Sequence, residues 1–158
     1  PIFLEFGCPI TFFVITDLLD QILWPWDAKV SWLINNSKNK YIDIELPDEV
    51  LNLDITDAKN KCDARTLLKD YLKETEFENI NETITQIVET TGIEIPDTPP
   101  HPYEAMNWDI ARNLENSGVT FAPHSKSHNI LSKLDNKLVR IEIEGSWQRL
   151  NEELSSPL

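Results

Sequence analysis

Residues 120–128 read Thr-Phe-Ala-Pro-His-Ser-Lys-Ser-His, which puts two of the chain's three histidines at positions 124 and 128. Neutral imidazole is the commonest ligand of transition metals and suits zinc. This spacing lets two rings converge on one ion, across a helical turn or around a tight loop. Pro123 and the interleaved serines favour the loop. His124 and His128 alone are too few, because a catalytic zinc takes three protein ligands and keeps a position for water. No Asp or Glu adjoins the pair, so a carboxylate or further histidine must come from elsewhere in the fold. By spacing alone, such a pair is more often two surface histidines. Ser125 reads as a brace for the loop and not as a nucleophile, since no base is paired with it in sequence.

The elements around the pair raise its significance. Val119 to Ala122 is a short apolar run that reads as a buried strand, so the histidines sit where a strand ends and a loop begins. In barrel-type α/β enzymes that end carries the catalytic groups. A second run, Pro9 to Ile15, is apolar on consecutive positions, the pattern of a strand buried on both faces in a parallel sheet. Thr16 and Asp17 follow it and are expected on the same face as His124. Asn107 is a helix cap before Trp108, Ile110, Ala111 and Leu114, and Gly118 is the stop. Ser132 or Asp135 opens a last helix with Leu134, Leu138, Ile141, Trp147, Leu150 and Leu154 at near-helical spacing.

Between these pieces, residues 27–100 form an acidic insertion. It contains a helix over 27–35 and a hairpin of two alternating runs, Tyr41–Leu46 and Leu51–Ile55. Two further helices follow, one from Thr56 as cap to about Lys73 and one over 80–91 ending at Gly92. The insertion reads as a solvated cover or as a subunit interface in a homo-oligomer.

The whole chain has 158 residues, 41% hydrophobic and 26% charged, within the range of one globular domain. A net charge of −13 repels phosphate backbones and anionic membrane surfaces, so neither nucleic acid nor membrane is an expected partner. No apolar run is long enough to span a bilayer. Cys8 and Cys62 do not amount to a disulfide framework. The opening residues, Pro1 to Gly7, read as the last turns of a helix with Gly7 as its stop, which suggests a chain cut from something longer and leaves localisation open.

Three stretches are similar to one family. They are Met106-Asn-Trp-Asp109, then Gly118 to His128, then Ile130-Leu-Ser132. With Gly7-Cys-Pro-Ile-Thr-Phe-Phe-Val14 and the helix Glu142 to Leu154, they resemble the polysaccharide deacetylases, carbohydrate esterases with a nodulation-factor deacetylase-like domain. In that family a His-[Ser/Thr]-x-x-His motif follows a strand, and His124, Ser125 and His128 match it. The resemblance covers roughly residues 1–26 and 103–158. It implies part of a deformed (β/α) barrel of the glycoside hydrolase/deacetylase type. It also implies metal-dependent hydrolysis of N-acetyl or O-acetyl groups on a carbohydrate, with zinc or a similar divalent ion held by His124, His128 and an aspartate.

The family's Asp-Asp-Gly motif supplies that aspartate and the base, and no Asp-Asp pair occurs here. The chain therefore looks like an internal fragment, inactive alone, whose catalytic acid and base lie outside it. Trp24 and Trp26 are placed either to stack on a sugar or to pack the insertion onto the barrel, and packing is the favoured reading. Two other readings stand beside the enzyme: a non-catalytic member that binds metal or sugar, and an interaction domain using the acidic insertion.

Overall fold

The computed structural model describes residues 2–46, 49–74 and 77–158. The protein is mixed α/β. In chain order its elements are α1 (Ile2–Glu5), β1 (Ile10–Val14), α2 (Thr16–Leu19), α3 (Trp26–Asn36), β2 (Tyr41–Glu45) and β3 (Val50–Asp54). These are followed by α4 (Ala58–Glu74), α5 (Phe77–Thr91), α6 (Trp108–Asn116), β4 (Val119–Pro123), a 3₁₀ turn (Leu131–Lys133) and α7 (Asn136–Glu153). They divide into two compact units. Unit 1 holds the residues up to Trp24 together with His101–Leu158, and unit 2 is Pro25–Pro100.

Unit 1 is built on β1 and β4, which pair in parallel with Ile10 opposite Val119 and Val14 opposite Pro123. Helices α6 and α7 pack on β4. The Asn107 side chain accepts from Ile110 N–H and so caps α6. Gly118, at φ +90°, makes the left-handed turn from α6 into β4. The core consists of Val14, Leu19, Trp108, Ala111, Val119, Phe121, Leu150 and Leu154. Two expectations need correcting. β1 is not buried on both faces: Phe12 and Phe13 are exposed, because β4 is its one partner strand among the described residues. On α7, Leu138, Ile141 and Trp147 face outward, and the buried stripe is Glu142, Ser146 and Leu150. Asp135, not Ser132, caps α7 by accepting from Leu138 N–H.

Unit 2 has a core of its own, with Val30, Leu33, Ile34, Ile42, Ile44, Leu53, Leu68, Leu72 and Ile87 all buried. β2 and β3 form the expected antiparallel hairpin, Tyr41 opposite Asp54 and Glu45 opposite Val50. Between the two runs, residues 47 and 48 lie outside the described residues. The amide of Gln86 on α5 both donates to and accepts from the Glu45 backbone, extending the β2 ladder with a side chain. Lys61 on α4 donates to the Asn35 and Ser37 carbonyls at the end of α3, where free C=O groups favour a cation. The cap of α4 is Asp57, which accepts from Asn60 N–H; Thr56 instead donates its hydroxyl to Asp54.

Candidate metal centre

The histidine loop is welded to the end of the β1–β4 pair. His124 N–H donates to the Val14 carbonyl at 2.8 Å, continuing the ladder one residue past the strand. Thr16 N–H then donates to Ser125 O at 3.4 Å and Asp17 N–H to Lys126 O at 3.0 Å. The start of α2 and the loop therefore form one hydrogen-bonded surface. Inside the loop, Ser125 Oγ accepts from His128 N–H at 3.1 Å. Ser125 and His128 both adopt left-handed backbone conformations, φ +63° and +60°. Each such residue costs about 1–3 kcal/mol and persists only when its surroundings over-determine it.

Three side chains supply that determination. Glu142 on α7 is buried, and its Oε2 accepts from Lys126 N–H at 3.0 Å and Ser127 N–H at 2.8 Å. Its Oε1 accepts from the Ser127 hydroxyl and, at 3.3 Å, from Asn129 Nδ2. The Lys126 ammonium in turn donates to both Asp17 oxygens at 2.8 Å. Sequence reasoning missed Glu142, although an acidic residue with Ser146 and Leu150 at four-residue spacing is a readable stripe.

The loop brings the His124 and His128 rings together, with centroids 5.3 Å apart and planes at 46°. Two imidazoles on one tetrahedral zinc, with Zn–N near 2.0–2.1 Å, hold their centres roughly 5 Å apart. The ring separation therefore fits a shared ion. His124 is exposed, whereas His128 Nδ1 is buried with no hydrogen-bond partner among the described residues. Among those residues no third His, Cys, Asp or Glu converges on the pair. Asp17 is paired with the Lys126 ammonium instead.

The remaining expected residues fall in different places. Thr16 has no exposed surface, so its hydroxyl faces protein and not solvent. Trp24 is buried, with its ring centre 6.4 Å from that of Tyr103. Trp26 opens α3 in unit 2. Neither Thr16 nor Trp24 offers a face to a ligand in this arrangement.

A second polar network anchors the far end of α2. Asp20 accepts from Arg149 Nε and NH2 and from Trp108 Nε1 at 2.7 Å, and Arg149 also pairs with Glu153 at 2.6 Å. The Arg149 hydrogen bonds, more than that of Trp108, hold the Asp20 carboxyl below its usual value of 3.8 against the opposing effect of burial. A carboxylate with a depressed folded-state pKa stabilises the fold fully above its unfolded pKa. That contribution is lost as the pH falls through the folded value. Asp20→Asn is thus expected to be less stable at pH 6 than the native chain and to show a shallower loss of stability below pH 4. Equal acid limbs in denaturant titrations at pH 6, 4 and 3 would remove Asp20 from this account.

Comparison with protein-family models, with curated proteins and with solved structures finds no match to this chain.

Proposed function

We propose that unit 1 carries the paired-histidine part of a polysaccharide deacetylase-type site. On this reading β1 and β4 are neighbouring strands of a deformed (β/α) barrel, and the activity served is hydrolysis of acetyl groups on a carbohydrate. The observation that supports it best is the 5.3 Å approach of two imidazoles at the end of a parallel strand pair, in the motif that resembles that family. His124 and His128 would hold a divalent ion, with zinc best matched to imidazole donors. When bound, such an ion supplies Lewis acidity toward an acetyl carbonyl. Ser125 fixes the loop through His128 N–H, and Glu142 and the Asp17–Lys126 pair secure it from either side. The carboxylate ligand and the proton-transfer groups belong to residues outside this loop.

Histidine NMR tests the metal part directly. Titration with Zn²⁺ is expected to shift the ring signals of His124 and His128 together and to leave His101 as an internal reference. His124→Ala should abolish the response at His128. Parallel, weak shifts of all three histidines would mean that no site exists here.

A further inference from the structure

We infer that Glu142 is the positioning residue of the histidine pair: a built-in anion that holds the loop in its ring-converging form. The inference rests on the metal-site reading for its purpose, but its geometry stands apart from any ion. Consecutive backbone N–H groups beside a left-handed residue form a concavity that binds anions. Here Lys126 and Ser127 N–H groups, next to left-handed Ser125, converge on a single oxygen of Glu142. Glu142 is 6% exposed, and among the described residues its carboxylate bonds to residues 126, 127 and 129, which lie between or beside the two histidines. No lysine or arginine is paired with it among the described residues, so the loop itself compensates this buried charge. Ser125 Oγ restrains the loop from within, and Glu142 restrains it from the helix behind. Without that anion, two adjacent donors lose their acceptor and two left-handed residues lose their support. The rings then separate.

The test uses the whole chain and three variants: Glu142→Gln, which keeps the shape and one carbonyl acceptor; Glu142→Ala, which keeps neither; and Asp20→Asn, which removes a carboxylate hydrogen-bonded to Arg149 and Trp108 and not to the loop. Two readouts are taken where circular dichroism shows a folded protein. The first, without metal, is the set of nuclear Overhauser contacts between the two imidazoles. They are expected in the native chain and in Asp20→Asn, weakened in Glu142→Gln and lost in Glu142→Ala. The second is Zn²⁺ affinity from the ring shifts, expected to fall by about tenfold or more in Glu142→Gln, the usual effect of removing an outer support of a metal ligand. Native-like ring contacts in folded Glu142→Ala would overturn the inference. Failure of the native chain to bind Zn²⁺ counts against the metal reading alone, and the ring contacts then decide the role of Glu142.

Discussion

Phe121→Ala is expected to lower the stability of unit 1 by about 3–5 kcal/mol, the usual cost of removing a buried aromatic ring. The residue is 1% exposed and lies in the middle of β4, in the core shared with Val14, Ala111, Leu150 and Leu154. Helices α6 and α7 both pack on that strand, so no single element can collapse into the space left by the ring. Free energies of this size are a large share of the ~5–15 kcal/mol that holds a domain together. The loss should also release the histidine loop, because His124 hangs from β4 and bonds back to Val14. Phe13→Ala is the control: its ring is 67% exposed on the paired strand, and a surface change of this kind stays within about 0.5 kcal/mol. Hydrogen exchange of the β4 amides reports on unit 1 specifically. Equal protection in the two variants would mean that Phe121 does not organise this core.

Trp108 is the second sensitive point, and here two substitutions separate two effects. Trp108→Ala removes a buried ring, at about 3–5 kcal/mol. It also takes away the surface over which the Arg149 guanidinium lies, 5.3 Å from the ring centre. Trp108→Phe keeps an aromatic ring in the core but removes one ring of the indole together with the N–H that reaches Asp20 at 2.7 Å. A hydrogen bond to a charged acceptor is worth about 1.5–3 kcal/mol, and Arg149 continues to serve Asp20, so the lower end of that range is expected. Trp108→Phe also leaves Asp20 with one fewer group favouring its ionised form. Its folded-state pKa then rises, and acid unfolding begins at a higher pH than in the native chain. Urea unfolding at pH 6 and pH 3.5 distinguishes the two effects. A Trp108→Phe variant indistinguishable from native at both pH values would dismiss the hydrogen bond as a contributor.

Most element types were legible because local chemistry decided them. The apolar runs at 10–15 and 119–122 became parallel neighbours. The alternating runs near 41–46 and 51–55 became a hairpin, and Asn107, Gly92 and Gly118 ended or began helices where expected. Their signals lie within a few residues of the feature they specify. The face of α7 was not legible, because apolar spacing assumes that the neighbouring surface is apolar. The neighbour is a loop whose N–H and hydroxyl donors bond to Glu142, so a carboxylate and not Ile141 or Trp147 faces it. The convergence of His124 and His128 could be anticipated from motif and loop, but not the cause of it. Lys126 and Glu142 act across 109 and 15–16 residues of sequence, and no local pattern pairs them with Asp17 or Ser127. The partners of Asp20 are equally remote, with Arg149 lying 129 residues away.

The discontinuity of unit 1 also has a consequence during biosynthesis. β1 leaves the ribosome well before its partner β4, because all of Pro25–Pro100 and α6 are made in between. At about 5–20 residues per second, a gap of roughly 100 residues leaves β1 without its partner for about 5–20 s. Throughout that interval Ile10 to Ile15 is an apolar segment without its β4 pairing, while unit 2, being contiguous, does not wait on a distant segment. The strand that later supports the histidine loop is thus open to intermolecular pairing for longer than the strands of unit 2, which pair within a few residues of each other.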